Sequence, residues 1–255
     1  MNVPVPGELF DLTGRTAVVT GASSGLGDRF ARVLAAAGAA VWASARREER
    51  LEKLAADVPG IRVMPGDVSS TEDRAALVER VVAEDGAIDI LVNNAGTASK
   101  SRPHEESPEA FADVLATNLT APFHLAQLVA GAAADRPVSI VNVSSIVGLV
   151  STAPRGGAGY AASKAGLVGL TRQLAGHWGR AGVRVNALAP GWFRTEMNDA
   201  LFEDDASLRW IERNTMLRRS GDPAELDGAL LFLASAASTY CTGQVLAIDG
   251  GWTAR

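Results

Sequence analysis

Along the chain, short runs of Val, Ile, Leu and Ala alternate with longer stretches in which apolar residues recur every three or four positions. The runs predict strands at Thr16–Thr20, Ala40–Ser44, Arg62–Met64, Ile88–Asn93, Val138–Ser144, Arg184–Ala189 and Val245–Asp249. Most are continuously apolar rather than alternating, the pattern of strands buried on both faces. Helical spacing fills the intervals Gly27–Ala37, Glu48–Asp57, Glu72–Asp85, Glu109–Ala133, Tyr160–Arg180 and Ala224–Ser235, the last introduced by Asp222-Pro223 as cap and first position. This order predicts an α/β fold: a doubly wound parallel sheet of about seven strands with helices on both faces. Only Gly191–Ser220 breaks the rhythm. Long and rich in aromatics and Met, it reads as a flap over a binding cleft.

Composition narrows the picture. A length of 255 residues suits one domain spanning 1–255, and 47% hydrophobic with 21% charged residues supplies an ordinary core. The net charge of −5 and the scattered basic residues leave no footprint for nucleic acid. Met1–Gly7 lacks the basic and apolar pattern of a secretory signal. The longest apolar stretch, Val33–Ala43, is interrupted by Gly38, and a bilayer span needs about 20 residues, so no membrane role is expected. The single cysteine, Cys241, excludes an internal disulfide and reads as a small hydrophobe. A cytoplasmic protein acting on small molecules is the expectation. His104, His124 and His177 show no metal-ligand spacing, so no metal site is expected.

Candidate chemistry gathers at the predicted carboxyl ends of the strands, where open parallel sheets take their ligands. After the first strand comes Thr20-Gly21-Ala22-Ser23-Ser24-Gly25-Leu26-Gly27, leading directly into a helix. Glycines permit close backbone approach to a phosphate, and the helix start favours negative charge. Gly27 lets helix and sheet pack closely. The competing reading is a plain β–α connection. At the end of the second strand stand Arg46 and Arg47, where a binder of NAD usually carries an acid and an arginine accommodates the 2′-phosphate of NADP. NADP(H) is therefore preferred and NAD(H) remains possible; alternatively both arginines are solvated and pair with neighbouring glutamates. Asp67-Val68 suits the flank of an adenine, or Asp67 is a helix cap. Asn94-Ala95-Gly96 leaves room for a ribose, or is simply a turn.

The fifth strand ends at Ser144-Ser145, and Tyr160 and Lys164 open the helix that follows. Four residues apart, they share one helix face. A tyrosine needs its pKa of about 10 lowered to serve as a base at neutral pH, and a nearby cation does this. Lys164 is the expected cation, and Ser145 is the expected partner of the substrate oxygen. The loop between Ser145 and Tyr160 leaves open whether Ser144 or Ser145 faces the tyrosine.

From about Asp11 to Trp252 the chain resembles the short-chain dehydrogenases/reductases. It carries Thr20–Gly27, Asn93–Gly96, Ser145 with Tyr160-x-x-x-Lys164, Pro190-Gly191 and the closing Thr242-Gly243-Gln244…Asp249-Gly250-Gly251 in that family's order. The resemblance implies a single-domain, Rossmann-type, NAD(P)-binding fold and hydride exchange between a ketone and a secondary alcohol. It implies that Tyr160 is the acid in reduction and the base in oxidation. Lys164 would lower the pKa of Tyr160 and hold the nicotinamide ribose, Ser145 would orient the carbonyl, and Asn118 would steady a water linking lysine to solvent. Gly21, Ser23, Ser24, Gly25, Leu26 and Gly27 fall on the phosphate side, and Pro190, Gly191, Phe193 and Thr195 on the nicotinamide side. It also implies a homotetramer.

For the substrate, Val147, Leu149, Trp192, Met197 and Trp210 are pocket candidates beside Ser145, with Phe193, Phe202 and Met216 in the same group; the competing reading is core packing. They suggest a carbonyl or alcohol substrate with an apolar portion. Arg155 and Lys100–His104 would meet an anionic group or are solvated loop charges. Within the family the rivals are a sugar-acid or polyol dehydrogenase and a 3-oxoacyl thioester reductase. Outside it are a non-catalytic cofactor-sensing or scaffold protein and a nucleotide-binding methyltransferase; neither needs the Ser–Tyr–Lys set.

Overall fold

A computed structural model describes residues 5–99 and 101–254; Lys100, the Met1–Pro4 part of the amino-terminal stretch and Arg255 lie outside the described residues. After α1 (Pro6–Phe10), the chain runs β1 (Thr16–Thr20), α2 (Gly25–Ala36), β2 (Ala40–Ala45), α3 (Glu48–Asp57), β3 (Ile61–Pro65), α4 (Thr71–Asp85) and β4 (Ile90–Asn93). It continues with α5 (Pro108–Leu115), α6 (Ala121–Gly131), β5 (Val138–Val143), α7 (Ala158–Trp178) and β6 (Val183–Pro190). The last elements are α8 (Asp199–Phe202), α9 (Asp205–Asn214), α10 (Asp227–Ala234) and β7 (Val245–Ile248).

The strands form one seven-stranded sheet in the order β3-β2-β1-β4-β5-β6-β7, every pair parallel. Successive strand residues point to opposite faces, so the central strands feed two cores. Val19, Val41, Ile90 and Leu188 pack with Phe30 and Leu34 of α2, Leu51 and Leu54 of α3, and Leu230 and Leu233 of α10. Val18, Leu91, Ile140 and Val185 pack on the other face with Leu77 and Val81 of α4, Leu125 and Val129 of α6, and Leu174 of α7. Both faces being covered explains why the strands read as unbroken apolar runs. The chain reverses its direction of winding between β1 and β4, which opens a crevice at their carboxyl ends. Among the described residues no helix is long and apolar enough to cross a membrane.

Local signals set the ends of the elements. Ser70 and Ser107 accept the Asp73 and Ala110 N–H groups at the starts of α4 and α5, and Gly86 closes α4 with φ +79°. Asp222 caps a short 3₁₀ turn, Pro223–Leu226, that precedes α10. The continuous helix expected over Glu109–Ala133 is instead α5 and α6 joined through one wide π turn at Ala116–Thr120. Asn118 lies in that turn and its side chain is satisfied by tertiary partners, which local periodicity does not reveal.

Candidate active site

The turn after β1 is shaped by contacts that only hydrogen side chains permit. Gly21 has φ +68°, and a β-carbon there would stand 2.7 Å from the Ala95 Cα. One on Gly27 would stand 2.2 Å from the Gly21 carbonyl oxygen. Asn94 braces the turn by donating from Nδ2 to the Thr20 carbonyl at 2.9 Å, while the Thr20 hydroxyl accepts the Asn94 and Ala95 N–H groups at 3.1 Å. Ser24 is the N-cap of α2, yet its hydroxyl does not cap; it accepts from Arg47 Nη2 at 2.6 Å, and Ser23 accepts from Arg47 Nε at 3.1 Å. The first turn of α2 is thus left with N–H groups open to an anion, beside a fixed guanidinium.

The two arginines at the end of β2 diverge. Arg47 turns inward as described. Arg46 is 76% exposed at its side chain and stands 3.9 Å from Asp67. The place beside Arg47 is taken by Arg50, and both donate to the carboxylate of Glu196. Sequence reading missed Arg50 and Glu196. Arg50 had a local signal, lying three residues after Arg47 at the start of α3; Glu196, on a distant segment, had none. Burial raises the Asp67 carboxyl, but the Ser69 N–H and hydroxyl and Arg46 outweigh it and hold it below the ordinary value. Val68 offers its carbonyl to the buried Arg74.

At the end of β5 the two serines separate. Ser144 is buried and donates to the Lys164 carbonyl at 2.9 Å, whereas Ser145 faces Tyr160 and its hydroxyl favours the ionised phenol. Tyr160 sits half-buried in the first turn of α7, one turn before Lys164, so helix periodicity delivers both to the same edge. Lys164 is 4% exposed; its Nζ donates to the Val143 carbonyl at 2.7 Å and lies 5.6 Å from the centre of the Tyr160 ring. Gly96 borders it: a β-carbon there would stand 3.7 Å from Nζ, at ordinary contact distance. Burial lowers the Lys164 pKa to about 8. The expected lowering of Tyr160 is not found. Burial raises its pKa and the Ser145 hydroxyl only partly opposes this; Lys164, itself desolvated, lies against the ring.

Asn118 is fully buried and committed to the protein. Its Oδ1 accepts the Thr97 N–H at 2.8 Å, and Nδ2 donates to the Thr97 carbonyl at 2.8 Å and the Ser163 hydroxyl at 3.0 Å. Across the crevice, Gly191 follows Pro190 and packs against Asp249, where a β-carbon would meet Cα at 2.7 Å. Thr195 faces the glycine turn: its Cβ lies 3.5 Å from where a Gly25 side chain would begin. Leu26 leaves the turn to pack on the core, and the Phe193 ring is buried against Gly221.

A cavity of about 530 Å³ lies against the first turn of α7. Val147, Leu149 and Val150 form an apolar wall, with Ser151 and Arg155 on the polar side. Trp192, Trp210 and Met197 are not among its walls. The two tryptophans form an edge-to-face triad with Trp252 at centroid separations of 5.0–5.6 Å, and Met197 and Met216 are exposed. Phe202 is buried. Arg155 donates to Ser207 at 2.6 Å and stands 3.6 Å from Asp204, tying the cavity loop to α9.

A family model described as enoyl-(acyl carrier protein) reductase matches residues 21–253. The chain is 38% identical over 252 residues to gluconate 5-dehydrogenase of Gluconobacter oxydans, covering 96% of this chain and 97% of that one. It is 37% identical over 246 residues to a 3-oxoacyl-(acyl-carrier-protein) reductase of Vibrio cholerae, covering 94% and 98%. The crystal structure of a gluconate 5-dehydrogenase from Burkholderia cenocepacia, in complex with NADP and tartrate, superposes with a TM-score of 0.92 at 36% identity, covering 98% of this chain and all of that one.

Proposed function

This chain belongs to the short-chain dehydrogenase/reductase family, as an oxidoreductase acting between a carbonyl and a CH–OH group, and we propose that it exchanges hydride between NADP(H) and a ketone or secondary alcohol, with Tyr160 handling the proton. The observation that carries this reading is the gathering of Ser145, Tyr160 and the buried Lys164, whose Nζ lies 5.6 Å from the centre of the Tyr160 ring, beside the cavity of about 530 Å³.

The residues present fit the cofactor. The glycine cradle from Gly21 to Gly27, with Ser23 and Ser24, suits the diphosphate, and Arg47 with Arg50 suits a ribose 2′-phosphate. Asp67 and Val68 would flank the adenine, and Asn94, Ala95 and Gly96 would border a ribose. Pro190, Gly191, Phe193 and Thr195 would meet the nicotinamide end. When bound, the nicotinamide supplies the hydride.

In reduction, Ser145 Oγ and Tyr160 Oη would both donate to the substrate oxygen, and Tyr160 would release its proton as that oxygen gains negative charge. The raised pKa of Tyr160 keeps the phenol protonated at neutral pH, which is the form a reduction needs. Lys164, protonated below about pH 8, sits under the ring and would stabilise the phenolate left behind. Asn118 positions the Thr97 backbone that borders this edge.

Initial rates with NADPH and NADH against a panel of ketones, keto acids and acyl thioesters test the proposal. The parent is expected to prefer NADPH, and Tyr160→Phe is expected to lose about 10²–10⁴-fold in rate while still binding cofactor. A variant as active as the parent would overturn the role of Tyr160. The apolar wall supports a substrate with an apolar portion. A second reading, a sugar acid, is favoured by the Arg155 guanidinium on the polar side, and turnover of hydroxy acids with none of alkyl or aryl ketones would select it. A homotetramer in the cytoplasm belongs to the same proposal on family grounds, and light scattering at the monomer mass would overturn the assembly.

A further inference from the structure

Glu196 reaches the cofactor side of the crevice from the segment after β6. Its two carboxylate oxygens accept from Arg47 Nη1 at 3.0 and 2.9 Å and from Arg50 Nη1 at 3.1 and 2.9 Å. Arg47 keeps its remaining nitrogens on Ser23 and Ser24, so Glu196 takes the one nitrogen not engaged by the glycine turn. The neighbouring Thr195 faces Gly25 of the same turn, so the segment lies alongside the turn at two successive residues. Arg50, Arg47 and Ser24 together hold the Glu196 pKa at about 2, which leaves the carboxylate ionised in any ordinary buffer.

We propose that Glu196 is a built-in competitor for the cofactor's 2′-phosphate: carboxylate and phosphate use the same Arg47–Arg50 pair, and the phosphate must displace Glu196 to bind. The inference rests on the reading that these arginines hold that phosphate. A phosphate carries more charge and more acceptor oxygens than a carboxylate, so it wins the pair, but its affinity is reduced by the fraction of molecules in which Glu196 holds the arginines. NADH has no 2′-phosphate and does not meet this competition. Glu196 therefore narrows the preference for NADPH over NADH and couples recognition of the phosphate to release of the segment that carries Thr195.

Dissociation constants for NADPH and NADH, read by quenching of tryptophan fluorescence, test this in the parent, in Glu196→Gln and in the double variant Arg47→Gln/Arg50→Gln. The glutamine keeps the shape and removes the charge. Because exposed ion pairs are weak, Glu196→Gln is expected to bind NADPH about three- to tenfold tighter, with NADH unchanged. The double variant is expected to lose NADPH at least about tenfold while keeping NADH. If the arginine variant loses NADPH but Glu196→Gln binds it no tighter than the parent, the competition is overturned and the arginine reading stands. Equal tightening for NADPH and NADH also overturns it, since Glu196 would then be closing the crevice to any dinucleotide. An arginine variant that binds NADPH like the parent removes the underlying reading, and the proposal with it.

Discussion

Replacing Lys164 by methionine exchanges a buried cation for an apolar side chain of similar length, and its effect on stability can be worked from the structure. The folded-state pKa is about 8 against 10.5 for a free lysine. At about 1.36 kcal/mol per pH unit, the charged form of Lys164 costs the folded state about 3 kcal/mol. The sign follows from proton counting. Below pH 8 both folded and unfolded chains hold the proton and the full cost is present. Between pH 8 and 10.5 the unfolded chain binds more protons than the folded one, so stability rises with pH as the cost is relieved. Losing the hydrogen bond to the Val143 carbonyl costs the variant about 1–3 kcal/mol. At pH 7, Lys164→Met is therefore expected to equal the parent or exceed it by up to about 2 kcal/mol. The sharper readout is the trend: between pH 7 and 10 the parent gains about 2.5 kcal/mol on the variant, roughly 1 M in urea midpoint. Urea unfolding of both proteins at four pH values and one protein concentration measures it. Running the pair in a Tyr160→Phe background removes the phenol's own titration, and all other groups cancel in the difference. Midpoints that move in parallel from pH 7 to 10 would refute the reasoning, because Lys164 would then titrate alike in both states.

Ser145→Ala removes the hydroxyl that holds the Tyr160 pKa down, so the alkaline limb at which reduction fails is expected to move to higher pH, with kcat reduced; a pH–rate profile on the best ketone checks both. Gly21→Ala places a β-carbon 2.7 Å from the Ala95 Cα at φ +68°, and is expected to destabilise the fold by about 1–3 kcal/mol and to weaken cofactor binding, measured by denaturation and titration. Asn118→Leu strands the Thr97 N–H and carbonyl in the interior, and a loss of about 2–5 kcal/mol in chemical denaturation is expected.

The sequence by itself determined what depends on local order. Unbroken Val, Ile and Ala runs specified strands covered on both faces, the glycine spacing specified the phosphate-type turn, and four-residue spacing put Tyr160 and Lys164 on one helix edge. Even the ends of the elements lay within a few residues of their signals, since caps and turns are short-range chemistry. The tertiary structure decided whatever depends on which surfaces meet. Ser145 rather than Ser144 faces Tyr160, because β5 meets α7 in one register and turns the other hydroxyl to the Lys164 carbonyl. Trp192 and Trp210 pack with Trp252 instead of lining the large cavity, although their spacing allowed either. Glu196 meets Arg47 across 149 positions of chain, and no local pattern marks such a partner. The sign of the Tyr160 shift belongs to the same class: a lysine one helical turn away promises a lower pKa, but desolvation is set by every atom packed around the phenol, and here burial raises it.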